Sequence, residues 1–257
     1  MKKLVLLPIF IATLFVSCSS DDDNQAVVDP IEPVVAPEDY TFTRNNESTV
    51  SFGGQTTRIF MAEEIISDLK NTSKTEASLL AMFNHQEGAD DFSDPSLNAS
   101  GKSVKSKTAA SKDYFSSNAT EAAEIKAMFD SYITSQVTEV FPNWDAVAAP
   151  GVAGQIADGS STRYVSAEGL EYNQAFAKGL IGAFVTDQIL NNYLSPAVLD
   201  EGDNVSNNDN EVTDGDKNYT VMEHKWDEAY GYLFGGVPEE NQSNPLPTIG
   251  DDDSFLN

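Results

Sequence analysis

The run Ser166-Ala167-Glu168-Gly169-Leu170-Glu171-Tyr172-Asn173-Gln174-Ala175-Phe176-Ala177-Lys178-Gly179-Leu180-Ile181-Gly182-Ala183-Phe184-Val185-Thr186-Asp187-Gln188-Ile189-Leu190-Asn191-Asn192-Tyr193-Leu194 decides the fold. It holds no proline. Leu170, Phe176, Leu180, Ile181, Phe184, Val185, Ile189, Leu190 and Leu194 fall on every side of a 3.6-residue period. The pattern predicts a helix over about 167–194, capped by Ser166, and a helix with no polar face is one that neighbours enclose. Ala175, Gly179 and Ala183 lie four apart on one side. Glycine weakens a helix by about 1 kcal/mol relative to alanine, so Gly179 and Gly182 imply a neighbour that packs close. Glu171, Gln174, Lys178 and Asp187 on such a helix need partners, and Glu171 and Lys178 share a side two turns apart.

Outward from this run the pattern stays mostly helical. Ala122, Ile125, Met128, Phe129, Tyr132 and Ile133 mark the buried side of a helix opened by Asn118-Ala119-Thr120 and reaching about Val140. Ile59, Met61, Ile65, Ile66 and Leu69 predict a helix from Arg58 to Lys70, and a second runs from about Thr75 to Asn84 with Ser73 or Thr75 as its cap. Tyr40, Phe42, Val50 and Phe52 follow period two around Asn45-Asn46-Glu47-Ser48, which reads as a short hairpin ended by Gly53-Gly54. Residues 86–118 carry few large apolar groups and read as a long loop with one helical turn, a length that marks function or mobility. Residues 141–163 read as an irregular Gly-, Ala- and Pro-rich crossing, and 200–218 as a polar stretch without core residues. The last helix runs from about Tyr219 to Phe234 and stops at Gly235-Gly236 and Pro238. The expectation is a mainly α protein: a helical bundle over 39–236 built on 167–194, with a small N-terminal β-hairpin and a polar tail at 237–257.

The chain opens with Lys2-Lys3, an apolar stretch from Leu4 to Val16, Ser17, and then Cys18, the only cysteine. That order describes a secretory signal peptide over 1–17, and a cysteine at the cut implies that its thiol takes a lipid. The alternative is a plain signal with an incidental cysteine. The apolar run is too short to favour a spanning helix. Residues 18–38 form an acidic tether, with Asp21-Asp22-Asp23 followed by Pro30, Pro33 and Pro37. Once Cys18 is lipidated no thiol remains, which excludes disulfides, cysteine-bound metals and thiol nucleophiles.

Lys and Arg number 15 against 41 Asp and Glu, a net charge of −26. Nucleic acid is excluded as a partner, since phosphate backbones need basic clusters. Cations, basic peptides and neutral glycans stay open, beside the simpler reading that the charge serves solubility. No Gly-x-Ser-x-Gly elbow and no phosphate-cradling glycine loop occurs. The acidic stretch Asp203-Asn204 through Asp214-Gly215-Asp216 fails the calcium-loop pattern because Val212 stands where a ligand is required.

His85 and His224 are the only histidines. His224 and Glu228 stand four apart and share a helix face, where imidazole and carboxylate can clasp a divalent or ferric ion. Gly231 and Gly235 continue that strip and let another helix or loop come close over it. Met222, Trp226, Ala229, Tyr230 and Leu233 form another side, with Trp226 and Tyr230 directed to the core. The alternative is an ordinary His–Glu pair on a solvated face. Glu171, on the central helix, is a further carboxylate for a helix-bundle metal centre.

Three stretches together, Gly54-Gln55-Thr56-Thr57-Arg58, the run from Gly169 to Gly179, and the run from His224 to Tyr232, resemble an uncharacterised "domain of unknown function" family of Bacteroidota lipoproteins. The likeness covers nearly all of the mature chain. The acidic run behind Cys18 is similar to the surface-export signal of such lipoproteins. More distantly, the chain resembles the imelysin group, helical proteins tied to iron uptake, whose hallmark is Gly-x-His-x-x-Glu. His224 matches it, with Met222 at the glycine position, Asp227 at the glutamate position and Glu228 one residue beyond.

The resemblance implies a non-enzymatic outer-membrane lipoprotein facing the cell surface or the periplasm, with the acidic run favouring the surface. It would bind iron or another divalent metal, or a metal complex, through His224, Asp227, Glu228 and Glu171. It also implies further helices after the histidine helix, so that the chain would be a truncated product. The alternative is a structural, glycan- or protein-interaction lipoprotein with no metal. A hydrolase ranks last, because no nucleophile motif supports one.

Overall fold

The computed structural model describes residues 37–237, together with Val35, Gln242, Leu246, Pro247, Phe255 and Leu256. Cys18, the signal peptide, nearly all of the tether and most of the tail lie outside the described residues. Pro37–Asn257 forms one compact unit, mainly α as the periodicity predicts.

The unit opens with the expected hairpin. β1 (Thr43–Arg44) pairs antiparallel with β2 (Glu47–Ser48). Asn45 and Asn46 make the turn with φ of 55° and 65°, the left-handed geometry a two-residue hairpin needs and asparagine tolerates. Gly53 and Gly54 do not separate hairpin from helix. α1 (Gly53–Asp68) begins on them, five residues before the apolar period becomes visible at Arg58. α2 (Glu76–Phe83) carries a capping box in which Thr75 and Ser78 bond each other's backbone amides.

Residues 86–118 contain the single short helix expected, α3 (Pro95–Asn98). The rest is held rather than loose. Val104, Thr108, Ala109 and Ser111 are buried. The Ala109 amide donates to Ala183 O at 2.6 Å, and the Asp187 carboxylate accepts from the Ala110 and Ser111 amides at 3.1 and 3.0 Å. A buried carboxylate thus finds backbone partners in a segment poor in apolar groups.

α4 (Ala119–Ser135) continues as a π-helix through Gln136–Val140. Met128, expected inside, is 41% exposed, while Ala122, Phe129 and Ile133 are buried. The stretch read as an irregular crossing holds a second hairpin: β3 (Gly154–Asp158) pairs with β4 (Ser161–Val165), and Trp144 stacks on Tyr164 with centroids 3.5 Å apart. Gly159-Ser160, the two-residue loop between Asp158 and Ser161, is the signal that identifies it.

The central helix starts later than Ser166. Ser166 Oγ accepts from the Glu168 and Leu170 amides, and Gly169 turns with φ of 84°. This closes a turn, after which α5 (Tyr172–Leu180) begins. Leu170 is therefore off the helix and 44% exposed. The helix runs on as π-helix over Ile181–Thr186 and Ile189–Tyr193. Each π-turn inserts a residue and rotates all later side chains around the axis, so Leu190 is 58% exposed while Phe184 and Val185 are fully buried. Gly179 is where α4 packs close: a Cβ there would stand 3.0 Å from Phe129 Cζ, whereas one at Gly182 meets nothing within 4 Å. Lys178 is exposed rather than paired in the interior.

Two short helices, α6 (Pro196–Leu199) and α7 (Asn204–Asp209), occupy the stretch before the last helix, α8 (Val221–Phe234). One core joins Ile65 of α1 and Leu69 at its C-terminal cap, Phe83 of α2, Phe129 and Ile133 of α4, Phe176 and Phe184 of the central helix, and Tyr232 of α8. No helix among the described residues is long and apolar enough to cross a membrane.

Candidate functional site

α8 is set in place by its first turn. Thr220 Oγ1 accepts from the Glu223 amide, and the Glu223 carboxylate accepts from the Thr220 amide at 2.7 Å, a capping box. The same carboxylate takes both guanidinium nitrogens of Arg44 at 2.9 and 2.8 Å, tying the hairpin to the helix start. Arg44 first, and the Thr220 amide after burial's opposing effect, hold Glu223 below its ordinary pKa.

Asp227 holds the hairpin a turn further on. Its Oδ1 accepts from Tyr40 OH at 3.0 Å and its Oδ2 from the Ser51 amide at 2.8 Å. It is 4% exposed, and burial pushes its carboxyl up to about 6 against the pull of those hydrogen bonds. Burial, then Asp227 itself, raises the Tyr40 phenol. Tyr40 stacks on Tyr230 at 3.6 Å, and burial raises Tyr230 to about 12.

The buried face of α8 is Asp227, Ala229, Gly231 and Tyr232. Trp226, expected in the core, is 55% exposed. It borders a cleft of about 550 Å³ that Tyr40, Phe42 and Arg44 line from the other side.

The glycine strip behaves as the sequence predicts. A Cβ on Gly231 would stand 2.5 Å from Phe52 Cβ and 3.0 Å from Gln55 Cβ, so the start of α1 lies directly against α8. Beside this contact sits His224. Its ring stacks on Tyr219 at 4.5 Å, and its Nε2 is 4.0 Å from Glu228 Oε2. Its Nδ1 is buried with no hydrogen bond of sound geometry. Burial lowers the imidazole pKa against the pull of Glu228, which favours the neutral ring. Glu228 accepts from Gln55 Nε2 at 3.1 Å and from Lys225 Nζ at 2.6 Å.

The structure thus brings His224 and Glu228 together and leaves the other two candidate ligands apart. Asp227 faces the hairpin. Glu171 is the residue before α5, with Arg163 Nη1 at 3.7 Å. Among the described residues no three His, Cys, Asp or Glu are grouped to hold a metal ion. Lys225 on Glu228 is a further obstacle, since a cation there would have to displace an ammonium.

His224 and Glu228 instead line a cavity of about 350 Å³, chiefly polar, with Gly53, Gly54, Gln55 and Arg58 of α1 on one wall and Tyr193 and Tyr219 on others. Lys102 and Lys107 close it from the long segment after α3. Lys102 and Lys107 are missed by motif and period alone, and Arg58 stands in a quoted stretch without being assigned a role. A signal for the lysines does exist: Lys102, Lys105, Lys107 and Lys112 cluster in a strongly acidic chain. Lys105 is paired with Asp130 and Lys112 with Glu201, while Lys107 and Lys225 lie each 5.5 Å from the Tyr193 ring centroid.

No curated protein and no solved structure matches the chain. Residues 37–257, nearly all of the chain beyond the tether, match the model of one family, and the chain belongs to it: the Domain of unknown function (DUF4856) family.

Proposed function

We propose that the protein is a lipid-anchored, non-enzymatic binding protein of the outer membrane that takes a small polar ligand in the cavity between the start of α1 and α8. The observation that carries this is the convergence of His224, Glu228, Gln55 and Arg58 on one polar cavity, with His224 Nδ1 and Arg58 Nε buried and without hydrogen bonds. The anchor is Cys18, and the acidic run behind it supports a surface-facing location.

Equilibrium dialysis against a mixture of water-soluble metabolites, read by mass spectrometry, tests the cavity. The wild type retains a compound that Gly54→Leu does not, because a side chain at 54 points between Lys102 and Arg58. Equal retention by both proteins, or none by either, sinks the proposal.

A second reading keeps the metal. His224 and Glu228 at 4.0 Å offer two ligands, and the likeness of this helix to the imelysin group supports iron or another divalent ion. Calorimetric titration with ferric and zinc ions decides it: binding unchanged in His224→Ala removes the metal reading.

A further inference from the structure

We propose that the cavity at the start of α1 is an anion site and that its ligand is a small phosphate-bearing molecule. This rests on the reading that the cavity holds the ligand, and adds the ligand's chemistry. Two independent features carry it.

The first is the helix end. Gly53 and Gly54 line the cavity and supply the first two amides of a 16-residue helix. The Gln55 and Thr56 amides already bond Phe52 O, and Phe52 at the cap makes no side-chain bond to the helix. The helix start therefore carries open donors and the positive end of the peptide dipoles. Glycine at 54 admits the basic side chains: a Cβ there would stand 3.3 Å from Lys102 Cε and 3.7 Å from Arg58 Nη1.

The second is an unspent buried cation. Arg58 lines the cavity and is 8% exposed. Its Nη1 donates to Gly54 O at 3.1 Å, and its Nε has no hydrogen-bond partner. Among the described residues no carboxylate lies within 4 Å of Arg58, Lys102 or Lys107. The one carboxylate in the cavity, Glu228, is held by Lys225 and Gln55. Burial, and then the like charge of Arg58, lower the Lys107 pKa. A buried guanidinium without a counter-ion is costly, and a chain with 41 Asp and Glu has no shortage of carboxylates to supply one.

Three cations around open amides fit a dianion better than a single carboxylate. About 350 Å³ exceeds a bare phosphate, and Tyr193 and Tyr219 can border an organic part.

Calorimetry on the full-length protein in detergent tests this, with inorganic phosphate and glycerol 3-phosphate as probes and citrate and chloride at equal ionic strength as comparisons. The expected result is saturable one-to-one binding of a phosphate probe, weakened at least tenfold in Lys102→Gln and in Lys107→Gln and unchanged in Lys105→Gln, whose lysine pairs with Asp130 outside the cavity. The two cavity lysines are not core residues, so variants that melt like the wild type remain interpretable. No saturable binding, binding of citrate but not phosphate, or unweakened binding in folded Lys107→Gln overturns the proposal. If dialysis retains a neutral or cationic compound through an open Gly54 while phosphate fails, the cavity reading stands and only the anion assignment falls.

Discussion

Asp227 shows how one side chain can serve the fold at a cost. Its two oxygens hold Tyr40 and the Ser51 amide, and burial raises its pKa from 3.8 to about 6. A carboxyl raised on folding binds its proton more tightly in the native chain. The penalty is absent below the unfolded pKa, grows as pH rises, and is complete above about 6. It amounts to about 3 kcal/mol. Asp227→Asn removes the charge and keeps an acceptor. Urea unfolding between pH 4 and 7 is expected to show the wild type losing about 2 kcal/mol relative to the variant as pH rises. Parallel pH profiles would show that Asp227 is not the titrating group. His224 acts in the opposite sense: its pKa is lowered on folding, so its contribution falls as pH drops below the unfolded value, and it does so in both proteins.

At the scale of elements, the contact of α1 with α8 positions the site, and it was the most legible part of it. The strip His224, Glu228, Gly231 and Gly235 told of a close neighbour, and Phe52 and Gln55 are that neighbour. Gly231→Ala places a methyl 2.5 Å from Phe52 Cβ and is expected to cost about 1–3 kcal/mol. Gly182→Ala, with nothing within 4 Å, should be neutral or gain up to about 1 kcal/mol. Denaturant melts of the pair check this, and equal effects would show that no close contact exists at 231. The features hidden in the sequence have physical causes. Periodicity reports that a helix has an apolar side, not which neighbour covers it, so it directs Trp226 inward although that residue borders a cleft. The π-turns after Leu180 break the 3.6 period that places Leu190 inside. Ser166 carries a cap's side chain but uses it to close a turn. Lys102 and Lys107 lie in a segment with no period at all, and long-range contacts hold it in place: the Lys105 amide on Phe83 O, the Ala109 amide on Ala183 O, Asp187 on the Ala110 amide and Gln188 on Lys107 O.

At the scale of the molecule, the described core residues begin at Ile59, and Pro37–Asn257 is a compact unit by itself. Its fold stands on packing among helices and owes nothing to a disulfide, since Cys18 is the only cysteine. Anchoring and folding should therefore separate cleanly. The lipid proposed on Cys18 would contribute about 0.8 kcal/mol for each methylene buried in the bilayer, far beyond what an acidic protein surface could draw from an anionic membrane. Cys18→Ala is expected to move the protein from the detergent phase to the aqueous phase on Triton X-114 partitioning. A chain beginning at Pro37 should melt within a few degrees of the full-length protein and keep whatever affinity the α1–α8 cavity has. A Cys18→Ala protein that still partitions with detergent would place the anchor elsewhere. A marked loss of melting temperature on removing residues 1–36 would mean that the leader or tether contributes to the fold. If both expectations are met, Cys18 supplies location alone, and any ligand affinity belongs to the folded unit.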